Sequence, residues 1–296
     1  MHRRKLLRTK ERVIESLLLL SALSSIFVTL GIVFVLFYEA AAFFKDVSIW
    51  EFLTGRQWTP LFAQPKFGIL PLVTGTLLVT GIAVLVALPI GLIVAVYLSE
   101  YAPFKIKEMV KPILELLAAV PTVVYGYFAL LFLTPVLQNF IPNLSGFNAL
   151  SPGIIMGIMI IPYVSSVSED AMRAVPMQIR EGSYAMGATK FQTAFKVVIP
   201  SAFSGIAAAF VIGVSRAIGE TMVVAIAAGM MPNLTLNPIE PVQTLTAYIV
   251  GISLGDVPHG TIEYKTIFAA GITLFIMTLS LNVLGFWFRR KIREVY

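Results

Sequence analysis

The chain contains no cysteine. Disulfide staples, a thiolate nucleophile and a Cys-based metal site are therefore excluded. Charge is scarce too: 13% of residues are Asp, Glu, Lys or Arg, against 57% hydrophobic. Soluble domains carry about 25% charged residues, so this chain belongs to another class. It has no G-x-x-x-x-G-K-[ST], and so no P-loop with which to hydrolyse ATP. H-E-x-x-H, paired aspartates and a converging Ser/His arrangement are also missing from the apolar runs, which leaves a membrane-embedded enzyme little to work with. No internal repeat, low-complexity stretch or separate soluble domain stands out.

What the chain has is apolar length. Mean hydropathy is +0.86, and several runs exceed the ~20 residues needed to cross a bilayer. The sequence predicts an all-α polytopic membrane protein with six transmembrane helices, at 16–44, 67–99, 112–140, 150–167, 202–231 and 266–288. Pro71, Pro89 and Pro121 are expected to interrupt their helices. A basic tail, 1–12, precedes a single transmembrane unit, 13–296. The first run is too long for a signal-peptide h-region and lacks a small-residue cleavage site, so it reads as retained.

The net charge of +6 would suit nucleic acid if it were clustered on a soluble face, but its distribution is a topology signal. Arg3, Arg4, Lys5, Arg8, Lys10 and Arg12 fall on one side with Lys105, Lys107, Lys111, Arg173, Arg180, Lys190, Lys196, Arg289, Arg290, Lys291 and Arg293. Lys45, Arg56, Lys66 and Lys265 fall on the other. The positive-inside rule then places both termini and the loop at about 173–200 in the cytoplasm. His2 and His259 end on opposite sides and share no metal site. In the outer loops Trp50 and Trp58 suit interface anchors, and a short or re-entrant helix fits near 242–254.

Arg216 and Glu220 carry the chemical interest. On a continuous helix they lie one turn apart on one face, with Arg216 about 20 Å from the cytoplasmic end. An ionised group at that depth is costly unless it is paired or faces water. A guanidinium matches a tetrahedral oxyanion with two parallel hydrogen bonds, and a nearby carboxylate can accept from a protonated one such as hydrogen phosphate. The alternative is a salt bridge that packs helices together. Glu39, Glu115, Glu169 and Asp170 sit near helix ends, where carboxylates reach water.

The stretch 181–200, EGSYAMGATKFQTAFKVVIP, is polar, punctuated by glycine and flanked by apolar runs. Tyr184, Met186, Phe191 and Phe195 offer it a docking face. An amphipathic loop on the membrane surface is the plainer alternative. The stretch resembles the cytoplasmic loop of ABC importer permeases, E-A-A-x3-G-x9-I-x-L-P. Glu181, Gly187 and Pro200 match; Val197 and Ile199 stand for Ile and Leu, and Gly182 and Ser183 replace the alanines.

A narrower resemblance follows. SRAIGETM at 215–222 is similar to the R-A-x-G-E-T signature of permeases in phosphate-specific ABC importers. ELLAAVPTVVYG at 115–126, FGILPLVTGTL at 67–77 and SEYAP at 99–103 fit the same family. The long 45–66 loop with its WTP favours the PstC type over the PstA type. This resemblance implies a type I ABC importer permease fold in a bacterial cytoplasmic (inner) membrane. It implies a helical hairpin that couples to the ATPase through Glu181, Ser183, Tyr184, Ala185, Gly187 and Ala188, and a substrate pathway that includes Arg216 and Glu220. The implied partners are an ATP-binding subunit dimer, a PstA-type permease, an extracytoplasmic phosphate-binding protein, phosphate and membrane lipid, with no nucleic acid. The chain itself would hold no cofactor, since ATP and Mg would sit in the partner. Molybdate or sulfate is the next substrate choice, and an ion-coupled secondary transporter is a further alternative.

Overall fold

The computed structural model describes residues 2–292, and among these the side chains of 2–9, 288, 289, 291 and 292 are left out. Of the basic groups used for orientation, the side chains of Arg3, Arg4, Lys5, Arg8, Arg289, Lys291 and Arg293 lie outside the description, as does that of His2.

The described chain is helical. We number α1 His2–Asp46, α2 Ile49–Thr54, α3 Leu70–Tyr101, α4 Phe104–Ala119, α5 Thr122–Gln138 and α6 Leu150–Arg173. There follow α7 Met177–Ala185, α8 Lys190–Ser201, α9 Phe203–Ile218, α10 Met222–Ala227, α11 Leu245–Ser253 and α12 Ile262–Ile292. Among the described residues four stretches, in α1, α3, α6 and α12, are long and apolar enough to cross a membrane alone; the number is six if each of the bent pairs α4–α5 and α8–α9 is counted as one span.

The helices at the centre associate through missing side chains. Between apolar helices in lipid, close van der Waals approach replaces the hydrophobic drive, and glycine permits it. A methyl group added at Gly153 would stand 2.7 Å from Ile82, and one at Gly157 the same distance from Val86. At Gly91 the roles reverse, with Val164 of α6 at 2.8 Å. The side chains of α3 thus sit in notches of α6, and one of α6 in a notch of α3. Gly213 brings α9 against the same Val164, at 3.0 Å, and against Ile160. α1 packs on α12 through Phe37 and Phe275, edge to face at 6.2 Å, while Leu17–Leu20 and Phe27 stay exposed, as suits a lipid-facing helix.

The prolines behave differently from one another. Pro71 lies in the first turn of α3 and Pro89 lies inside it without a break. Pro121 does interrupt, and strongly: α4 and α5 meet at 87°. Val120 before it is extended (φ −64, ψ 129), as the steric demand of a following proline requires. The interruption expected at Pro121 thus divides the span 112–140 into two helices, whereas the one expected at Pro89 does not occur. The span expected at 202–231 is also corrected. α8 turns into α9 at Ala202 through 72°, and α9 ends at Ile218, well before 231.

On the outer side by the charge argument, Trp58 is not an interface anchor. It is 2% exposed, edge-on to Tyr248 at 5.1 Å and Phe52 at 6.2 Å. Trp50 stays exposed. The helix expected near 242–254 is α11, started by Thr244, whose hydroxyl accepts from Ala247 N.

Candidate functional site

The stretch after α6 folds as a hairpin of α7 and α8. Gly187 supplies its turn with φ +80, a left-handed conformation that costs glycine nothing. Thr189 and Gln192 form a reciprocal capping box that starts α8. The two arms are joined by Ser183 Oγ and Thr193 Oγ1 at 2.9 Å, and Ala188 N donates to the Ser183 carbonyl. Around this turn Glu181, Ala185 and Gly187 are exposed, and so are Tyr184, Met186, Phe191 and Phe195. Ser183 and Ala188 are half-buried where they close the turn. Met186 is 88% exposed, so an apolar group stands clear of the molecule. The hairpin brings together the six residues marked from sequence as a coupling surface.

What fastens the hairpin to the bundle was not legible in the sequence. Arg180 of α7 reaches Glu100 at the end of α3, with Nη2 3.1 Å from Oε1. Its Nη2 also donates to the Met172 carbonyl and its Nη1 to that of Val175, at the end of α6. The guanidinium therefore binds three segments at once, and both side chains of the ion pair are about nine-tenths buried. Removing one partner of a buried pair strands the other. Arg180→Gln is expected to lower stability by about 3–5 kcal/mol, read as an unfolding-temperature drop in detergent. Arg180→Met with Glu100→Leu is expected to recover most of that stability, because no buried charge is then left unpaired.

Glu169 corrects a second expectation. It does not reach water but is fully buried. Lys111 of α4 lies 2.7 Å from one oxygen and Arg173 3.6 Å from the other. Asp170 beside it is exposed, as are Glu115 and, in part, Glu39.

Arg216 and Glu220 are not on one helix. α9 stops at Ile218 and Glu220 lies in the break before α10. Its Oε1 accepts from the backbone N–H of Met222 and Val223, so the carboxylate satisfies donors that the short helix leaves open. Its carbonyl accepts from Thr246 Oγ1 at 2.6 Å. Among the described residues no ion pair joins Glu220 to Arg216. The guanidinium instead lies over the Tyr163 ring, Cζ 4.1 Å from the centroid, a contact that sequence spacing had not indicated. Its Nε is buried with no hydrogen-bond partner. A buried N–H without a partner costs about 1–3 kcal/mol, so the arrangement leaves a donor available.

A cavity of about 770 Å³ opens between 56–62 and 230–234. Gln243 and Tyr248 line its floor. From Gln243 the buried hydroxyls of Thr244 and Thr246 lead to the Glu220 carbonyl.

The family described as "Binding-protein-dependent transport system inner membrane component" matches residues 87–294. The chain is 38% identical over 234 residues to the probable ABC transporter permease protein YqgH of Bacillus subtilis (strain 168), covering 79% of this chain and 75% of that protein. It is 31% identical over 255 residues to the phosphate transport system permease protein PstC of Xylella fastidiosa (strain 9a5c), covering 79% and 77%. The probable PstC of Methanocaldococcus jannaschii is also 31% identical, over 253 residues and 78% of each chain. Among solved structures, a chain of the bacterial alginate ABC transporter, in complex with its alginate-bound periplasmic protein, aligns with TM-score 0.66 at 19% identity. It covers 94% of this chain and 96% of that one. An inward-facing MetNI methionine ABC transporter gives 0.60 at 20% identity, over 76% and 96%. At these identities the likeness is one of fold.

Proposed function

We propose, from the premise that this chain belongs to the family of binding-protein-dependent transport system inner membrane components, that it imports inorganic phosphate as the PstC-type permease of an ATP-driven importer. The observation that carries the substrate is Arg216. It is a guanidinium in an apolar helix that lies over the Tyr163 ring, and among the described residues it forms no ion pair with a carboxylate. A structural salt bridge would have consumed those donors. Unpaired, they suit an oxyanion that takes two hydrogen bonds from one planar group. The similarity to PstC proteins supports phosphate as that oxyanion.

In this reading the Thr244–Thr246 hydroxyls and Glu220 lie along the route from the outer cavity toward Arg216. A second, PstA-type permease completes the pathway and an extracytoplasmic phosphate-binding protein delivers the anion. An ATPase dimer, holding ATP and Mg, docks on the exposed hairpin residues Glu181, Tyr184, Ala185 and Gly187. Both termini then face the cytoplasm of the bacterial inner membrane.

The test is reconstitution of all four components in proteoliposomes. Radiolabelled phosphate uptake is expected to need internal ATP and the external binding protein. It is also expected to survive collapse of the proton gradient and to resist excess sulfate and molybdate. Uptake of sulfate or molybdate in place of phosphate would move the substrate assignment. Uptake that follows the proton gradient at constant ATP would favour an ion-coupled carrier.

A further inference from the structure

A cavity of about 480 Å³ lies where the hairpin meets the bundle. Four cations from four helices line it: Lys107 of α4, Arg173 of α6, Arg180 of α7 and Lys190 of α8. Glu100 is its one carboxylate, and that charge is spent. Oε1 takes Arg180 Nη2 at 3.1 Å and the Ser99 hydroxyl at 2.8 Å, and Oε2 faces Arg180 Nε at 3.5 Å. Arg180 spends its other donors on backbone carbonyls. The Arg173 charge is offset by Glu169, which Lys111 shares.

Two ammonium groups remain. Lys107 Nζ reaches only the Ser99 carbonyl, at 3.3 Å. Lys190 Nζ stands over the Tyr101 ring, 5.2 Å from its centroid. Neither has an anionic partner among the described residues, so the cavity carries two uncompensated positive charges. Cationic side chains that merely obey the topology rule can point into water. These line one concave space from separate helices, with the Tyr184 side chain on its wall.

We infer that this cavity is a second anion site, on the hairpin side of the protein, for a tetrahedral phosphoryl group. A carboxylate presents two oxygens on one edge, whereas a phosphoryl group presents three or four around a centre and suits donors that converge from different helices. Basic cavities between membrane helices take phospholipid headgroups by this chemistry, and free inorganic phosphate offers the same oxygens. An anion held between Lys107 and Lys190 ties α8 to α4. It therefore stabilises that placement of the hairpin by mass action, and favours whichever transport state holds the two lysines closest. The site is thus regulatory, and it rests on the hairpin being the coupling element, not on phosphate being the cargo.

The test uses the assembled transporter in nanodiscs and reads amide hydrogen exchange over 190–199 and 104–111. One arm titrates inorganic phosphate against chloride at equal ionic strength in neutral lipid. The other replaces neutral lipid stepwise with phosphatidylglycerol. Saturable slowing of exchange in these two segments is expected in at least one arm, and Lys107→Gln with Lys190→Gln should abolish it while exchange in α6 is unchanged. A response to phosphate assigns the site to the free anion, and a response to lipid alone assigns it to a headgroup. No saturable protection in either arm, or equal protection in the double variant, overturns the site. Because the readout is local exchange and not uptake, it can fail while phosphate import stands, and the reverse.

Discussion

Arg216→Ala is expected to assemble with its partners at near wild-type stability and to take up phosphate at background rates. Had Arg216 and Glu220 been paired, each single change would strand a buried charge and both variants would fail for structural reasons. They are not paired, so Arg216→Ala leaves Glu220 with its own partners, the N–H groups of Met222 and Val223. What is lost is the stacking on Tyr163, worth about 2 kcal/mol or more when desolvated, and this is offset by removal of a buried unsatisfied N–H that costs about 1–3 kcal/mol. Glu220→Ala differs: it opens two backbone donors, with a stability cost of about 1 kcal/mol typical of a lost cap. The double alanine variant should therefore behave as the sum of a silent change and a modest one in thermal unfolding, yet remain inactive in uptake at every phosphate concentration. Substantial uptake by well-assembled Arg216→Ala would remove this guanidinium from the substrate pathway.

Gly187→Val is expected to uncouple ATP hydrolysis from transport while the bundle stays folded. Nothing lies within 4 Å of a Cβ built at Gly187, so the change meets no clash. Its cost is the backbone: at φ +80 a β-branched residue is strained by roughly 1–3 kcal/mol, and the turn between α7 and α8 must re-form. Asparagine tolerates that region better, so ATPase stimulation should fall in the order Gly, Asn, Ala, Val. Glu181→Lys reverses an exposed charge on the same surface and should weaken stimulation without touching the turn. Wild-type coupling in both Gly187→Val and Glu181→Lys would show that the hairpin is not where the ATPase binds.

The long apolar runs, the hairpin and the short helix α11 were legible because each is local: run length, a glycine turn, a threonine cap. The failures share one cause. The i, i+4 reading of Arg216 and Glu220 presupposed an unbroken helix, but Glu220 gives its carboxylate to the backbone that follows, and the helix ends at Ile218. Glu169 looked like a group at the water's edge because its partner Lys111 comes from another helix. Glu100 and Arg180 lie 80 residues apart, and no spacing announces them. The 87° bend at Pro121 was only half legible: proline marks where a helix can break, while its surroundings decide by how much, as the unbroken course past Pro89 shows.

The interlocked notches between α3 and α6 have a mechanical corollary. A ratchet tooth seated in a glycine gap resists sliding along the shaft, since a shift of one residue would drive Ile82 or Val86 onto a neighbouring side chain. α3 and α6 therefore travel as one lever, with Arg180 bolting the hairpin to the end of that lever at Glu100 and at the last carbonyls of α6. The hinges available to an alternating motion are then the corners: Val120–Pro121, Ala202, and the break between Ile218 and Met222, which holds Glu220 and follows directly on the leaf that carries Arg216.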